Sequence, residues 1–272
     1  MNFKKLNFII LLIITFFLIT SFAFATTLKE TFKKQIKCEG RPTLEVKNSN
    51  GGIELSSWDK DEIEIIAYIR VEGEKSKAQK MLDRIEIEID QNGDDINVET
   101  LVPKGIQGGN GFFSWIFGDN HSSYSVDYEI NVPKESDLNL NTSNGKVSVE
   151  NISGKVRMHS TNGKIEAREI NGLLRCETTN GKINAEFEEV TSDEEMIFRT
   201  TNGSIKLYLP KEYGGYADLK TTNGHIESDF DLESKFKESR KSKKSYRGEF
   251  GDGDGAITCK TTNGSIYLLE NN

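Results

Sequence analysis

Seven Asn-Gly pairs stand in nearly the same surroundings along this chain, and they restrict its fold more than any other feature. They read SNGG at 49–52, SNGK at 143–146, TNGK at 161–164 and 179–182, TNGS at 201–204, TNGH at 222–225 and TNGS at 262–265. Aligned on the glycine, the positions seven and five before it and two and four after it make 28 sites, of which only Ser228 is polar. Apolar residues two apart on both sides of a turn describe strands with one buried face. The Lys, Glu, Asn, Ser and Arg between them suit the face in water. Asn-Gly is expected to supply positive φ at a sharp corner with little steric strain. The preceding Thr or Ser pair is expected to bond neighbouring backbone or to stack on its counterparts.

Between the second and fourth copies the rhythm tightens. Gly145, Gly154, Gly163, Gly172 and Gly181 stand nine residues apart, which defines an 18-residue unit with two corners. Later Asn-Gly spacings of 22, 21 and 40 imply insertions at the corners, as units that contact mainly their neighbours can accept. Antiparallel hairpins would use Asn-Gly well. A β-solenoid explains more, because stacking equivalent strands about 4.8 Å apart turns the recurrence into vertical apolar stacks and Asn and Thr ladders. The expected fold class is therefore all-β, a β-helix-like solenoid of repeats of about 18–22 residues. Cys176 and Cys259 then share one inward register, with the units of Phe198 and Leu219 between them. Three strand spacings, roughly 14 Å, would keep them apart as buried free thiols.

The first copy is separated from the second by an insertion with strand patterns at 62–69, 85–89, 96–101 and 126–132 and a helix candidate near 74–84. Residues 26–133 read as a small N-terminal β module that contains the first repeat and one short helix, and 134–272 as the solenoid region. Repeat arrays need such caps, since a bare edge recruits other chains. The far end stops soon after Leu269, so the last strand is expected to have little shielding. Residues 1–25 carry Lys4 and Lys5, an apolar run and Ala23-Phe24-Ala25, the pattern of a secretory signal peptide cleaved after Ala25; a retained membrane anchor is the alternative. No second apolar span follows, so no transmembrane span is expected in the mature chain. Cleavage would leave 33 basic and 43 acidic residues, a net charge of −10, which disfavours nucleic acid as a partner.

Two segments stand out as binding surfaces. Residues 108–120 gather Phe112, Phe113, Trp115, Ile116 and Phe117 in a Gly-rich setting. They would either cover part of the sheet or form an exposed apolar patch for a partner or a membrane surface. Residues 235–247 carry Lys235, Lys237, Arg240, Lys241, Lys243, Lys244 and Arg247, a basic run in an acidic protein. It reads as a solvated loop or as a contact for anionic lipid, polysaccharide or a phosphorylated polymer. Signs of chemistry are weak. His121, His159 and His225 share no ligand spacing, and no zinc cluster, P-loop or G-x-S-x-G elbow occurs. Residues 251–255, GDGDG, read as a turn before they read as a calcium site. No catalytic, cofactor-binding or metal residue is expected.

With the T-[ST]-N-G-x-[IV] repeats laid out, the chain from about Leu44 to Leu268 resembles a bacterial family of β-strand-repeat proteins of unknown function that carry the label "putative adhesins". The resemblance includes SNGGIEL, VDYEINVP leading into LNLNTSNGKVSVE, and the closing GEFGDGDGAITCKTTNGSIYL. It implies a solenoid associated with the cell envelope or secreted, and a surface-binding role with no catalytic residues. The reading is a non-enzymatic exported scaffold: periplasmic, cell-surface or extracellular, with an envelope component (protein, glycan or anionic lipid) as partner. An envelope-stress or regulatory interaction protein and a glycan-active enzyme are the alternatives.

Overall fold

The computed structural model describes residues 26–102, 122–190, 194–232, 240–242, 244–251 and 253–271, with no side chains described at 240–242. In chain order the elements are β1 (Thr26–Lys37), β2 (Thr43–Lys47), β3 (Ile53–Trp58), β4 (Glu62–Gly73), helix α1 (Lys75–Leu82), β5 (Glu86–Asn92), β6 (Asp95–Leu101) and β7 (Ser123–Pro133). The repeats follow as β8 (Asp137–Asn144), β9 (Val147–Asn162), β10 (Ile165–Asn180), β11 (Ile183–Glu189), β12 (Met196–Asn202) and β13 (Ile205–Leu209). The remainder is β14 (Gly215–Asn223), β15 (Ile226–Ser228), β16 (Arg240–Ser242), β17 (Ser245–Phe250), β18 (Gly255–Asn263) and β19 (Ile266–Glu270). Among the described residues the fold is all-β with one helix, and solenoid-like.

Its strands lie in two rows. The repeat strands that precede an Asn-Gly corner lie in the first row, extended by β5 and β6 at one end and by β17 and β16 at the other, in the order β5-β6-β2-β8-β9-β10-β12-β18-β14-β17-β16. The repeat strands that follow a corner lie in the second, extended at one end by β1, β4 and β7, in the order β1-β4-β7-β3-β9-β10-β11-β13-β19-β15. β9 and β10 are long enough to run through both rows, bending beside Asn151 and Glu169, which hold left-handed φ of 57° and 52°. All pairings within the repeats are parallel, with Ile165 beside Val147 and Cys176 beside Met158, and the register of β10 on β11 slips at Ile170, which stands opposite Phe187. Parallel stacking excludes the hairpin alternative for these strands.

The motif positions explain why the rows close on one core. Of the 28 apolar-register sites, all are buried except Ile226 and Ser228 in the outermost coil. Val147, Ile165, Ile183 and Ile205 are fully buried in a single cluster, and Ile226 packs against it partly exposed.

The corner glycines are required for a reason other than the expected one. Only Gly51 among the seven has a left-handed φ, +122°. The others are selected by close approach between coils: a Cβ on Gly163 would sit 1.7 Å from the Gly145 carbonyl oxygen. The corner works because the axial spacing leaves no room for a side chain.

Coil order departs from chain order at the far end. β18 lies between β12 and β14, and β19 between β13 and β15. The last strand in sequence is therefore interior, contrary to the expectation that it would lie bare. Cys176 and Cys259 are separated by Phe198 alone, two spacings rather than three, since Leu219 lies beyond Cys259. Both thiols are free and buried. The outermost coil carries a cap: β17 pairs antiparallel with β14, and Phe250 packs edge-on to Phe230 at 5.7 Å. At the other end α1 sends Ala78 and Met81 into the core, and β1 forms an antiparallel edge on β4.

Candidate functional site

The outer side of the first row carries the most ordered polar surface. Two ranks of hydroxyls arise from the Thr-Thr that precedes Asn-Gly. The inner rank is structural: Thr178 donates to the Gly163 carbonyl at 3.0 Å, Thr200 to Gly181 at 2.9 Å, Thr261 to Gly203 at 2.8 Å and Thr221 to Gly264 at 2.7 Å. The outer rank, Thr161, Thr179, Thr201, Thr262 and Thr222, is exposed, and among the described residues its side chains make no hydrogen bond. Beside it the Asn side chains form a continuous ladder. Asn144 donates to Asn50, Asn162 to Asn144, Asn180 to Asn162, Asn202 to Asn180, Asn263 to Asn202 and Asn223 to Asn263, all at 2.7–2.8 Å.

Four residues before the later corner glycines comes a polar rank that runs His159, Glu177, Arg199, Lys260, Lys220 across adjacent strands. Together with the outer threonines it lines a shallow groove of about 460 Å³. Arg199 pairs with Glu177 at 2.9 Å, and Lys260 and Arg247 both pair with Asp218 at 3.1 Å. Burial pushes the Asp218 carboxyl up, but the hydrogen bonds from Arg247 and Lys260 outweigh it and hold it below the usual range.

The second row's outer face has a smaller depression of about 290 Å³. There Glu166 accepts from Lys146 at 2.7 Å and from Lys164, and these bonds bring its pKa down to about 2. Arg168 pairs with Glu150 at 3.2 Å. Glu64, Glu74 and Glu194 are likewise held low, by Lys33, Lys77 and Lys155. Desolvation drives the thiols of Cys176 and Cys259 far above their ordinary value, and that of Cys38 upward. Nucleophilic thiols and general acids need the opposite shifts, thiols lowered and carboxyls raised. Among the described residues no three His, Cys, Asp or Glu side chains form a group that could hold a metal ion. No described helix is long and apolar enough to cross a membrane.

The residues singled out from sequence are placed only in part. Phe112, Phe113, Trp115, Ile116 and Phe117 lie outside the described residues, as do Lys235, Lys237 and Lys243. The chain leaves the first row at β6 and re-enters the second at β7, on the coil next to the Asn50-Gly51 corner. Arg240 and Lys241 belong to β16, and Arg247 lies on β17 beside the groove. His225 is exposed, with Nε2 2.7 Å from Glu227 and Nδ1 3.1 Å from Ser265. Sequence reasoning missed the groove. Its signal was the second Thr of Thr-Thr-Asn-Gly, repeated without any role in holding the coils together.

Residues 24–269 match the Toastrack DUF4097 family. The chain belongs to that family. No curated protein matches it. Among solved structures, this Toastrack chain is similar to one described as a "putative cell adhesion protein" from Clostridium sporogenes, with 13% identity and a TM-score of 0.48 over 90% of this chain and 100% of the other. It is also similar to one described as a "putative adhesin" from Bacteroides fragilis, with 11% identity and a TM-score of 0.29 over 89% of this chain and 97% of the other.

Proposed function

We propose that this Toastrack protein is a non-enzymatic, exported binding scaffold that acts in the cell envelope or outside the cell and engages a surface component through the outer faces of its strand rows. The observation that carries this reading is geometric: among the described residues Glu64, Glu74, Glu166, Glu194 and Asp218 are each tied to a lysine, and the three thiols are buried. Among the described residues the carboxylates whose ionisation is shifted are held in their charged form, and the thiols in their neutral form. Such groups hold a surface in a fixed pattern of charge, and they are poorly tuned for proton transfer or nucleophilic attack at neutral pH. Adhesion describes the role in its loosest form. The N-terminal pattern of lysines, apolar run and Ala-Phe-Ala supports export. The aromatic segment at 112–117 and the basic run at 235–247 are additional contact candidates.

The test is cosedimentation of the purified protein with isolated envelope fractions, with the soluble glycan released into the supernatant measured in parallel. Retention on an envelope fraction without release of fragments is expected. Release of new reducing ends would make the protein a glycan-active enzyme, and failure to sediment with any fraction would remove the scaffold reading.

A further inference from the structure

We infer that the groove on the first row binds an acidic polysaccharide, a linear glycan carrying carboxylates, laid along the solenoid axis across Arg199, Lys260 and Lys220. This inference rests on the scaffold reading and assigns it a site and a ligand class.

Three cations occupy one register of adjacent parallel strands: Arg199 stands beside Lys260, and Lys260 beside Lys220. Like charges directly opposite one another destabilise a sheet, and strand spacing places these about 4.8 Å apart. The chain is acidic overall, with a formal net charge of −8, so basic side chains concentrated at one register run against its composition. On the second row the stacked lysines 146 and 164 share Glu166 between them. On the first row Glu177 ends the cation stack in line with Arg199 and pairs with it, Asp218 pairs with Lys260 from the side, and Lys220 has no partner among the described residues. The repulsion left over is relieved by a bound anion.

Hydroxyls supply the second half of the argument. Thr201, Thr262 and Thr222 run parallel to the cations, in register and exposed, with no hydrogen bond to the protein. A row of donors and acceptors at strand spacing beside a row of positive charge matches a chain that presents hydroxyls and carboxylates along one axis. The stack exists only because β18 is inserted between β12 and β14, which brings Lys260 from the end of the chain between Arg199 and Lys220.

The experiment measures retention of the purified protein on immobilised alginate, a linear polyuronate, with dextran as the neutral glycan and polyphosphate as an anion without hydroxyls. Alginate should retain the protein and release it with rising salt, dextran should not retain it, and polyphosphate should retain it more weakly. Lys220→Gln with Lys260→Gln should weaken alginate binding by about tenfold or more. Thr201→Val with Thr262→Val keeps the β-branched shape and should weaken it by several-fold, while Lys77→Gln on the helix, outside both strand rows, should leave it unchanged. No retention on alginate, equal retention on polyphosphate, or retention unaffected by the groove variants would overturn the assignment. Envelope binding that persists in the groove variants would do so too while leaving the scaffold reading intact; only absence of all envelope binding removes both.

Discussion

Asn263 donates its side-chain N–H to Asn202 at 2.7 Å across 61 residues of sequence, and by doing so threads the end of the chain into the interior of the stack. Asn223, which precedes it in sequence, lies outside it in space and donates to it. The coil that carries Asn263 therefore touches neighbours on both sides, and the coil at 215–228 cannot reach β12 and β13 without it. Completion of the far end waits for the last residues to arrive.

Gly264 tests that placement. A Cβ there would sit 1.9 Å from the Gly203 carbonyl oxygen, against backbone rather than a movable side chain. Gly264→Ala should destabilise the protein by about 3 kcal/mol or more in urea unfolding. Gly93→Ala is the contrast: φ is +62°, but nothing lies within 4 Å of the added carbon. Only the left-handed conformation is penalised there, by about 1–2 kcal/mol. Equal losses at the two sites would contradict the interior position of the last coil.

Much of this architecture was legible because the apolar register is local. Leu174 and Cys176 before a corner, and Ile183 and Ala185 after it, declare two strands and their buried face without reference to anything distant. Coil order was not legible. Every copy carries the same motif, so the motif alone does not say which copy stacks on which. The cation stack was hidden for the same reason, since Lys260 meets Arg199 and Lys220 only through the order of the coils. β1 escaped because Leu28, Phe32 and Ile36 fall four apart, a helical spacing, while its strand form comes from pairing with β4 along the whole of its length. The Gly145 corner was expected to need positive φ; its actual requirement, a neighbouring backbone at contact distance, belongs to packing between coils.

The asparagine ladder should show a difference between its middle and its end. Asn202 both donates to Asn180 and accepts from Asn263, whereas Asn223 only donates to Asn263. With each net hydrogen bond contributing about 1 kcal/mol, Asn202→Ala should lower stability by about 2 kcal/mol and Asn223→Ala by about half that. Urea midpoints of the two variants give the comparison, and a larger loss at Asn223 would mean that the ladder is not the source of the effect.

The two core thiols should be silent in the folded protein. Cys176 and Cys259 are fully buried, with Phe198 between them, and two strand spacings of about 4.8 Å exceed disulfide reach. A thiol reagent added to the native protein should leave both unmodified and label them at the rate of global unfolding. Cys38, buried but close to the chain's N-terminal edge, should label first. A Cys176–Cys259 disulfide recovered under oxidising conditions would show that the coil order is wrong.

Glu166 links the opposite face to pH. Hydrogen bonds from Lys146 and Lys164 hold its carboxyl at about 2, below the ordinary 4.5. A depressed carboxylate contributes stability that is fully present above the ordinary value and is lost as pH falls through the folded one. Replacing it by Gln removes the charge while keeping the shape. Glu166→Gln should therefore be less stable than the parent at pH 7 by about 1–2 kcal/mol after solvent screening, and the gap should close between pH 4.5 and about 2. Urea unfolding of both proteins at three pH values across that window measures the gap. A gap that stays constant as pH falls would assign the loss to packing around Glu166 rather than to its charge, and the lysine pair would then be a surface contact of no energetic consequence.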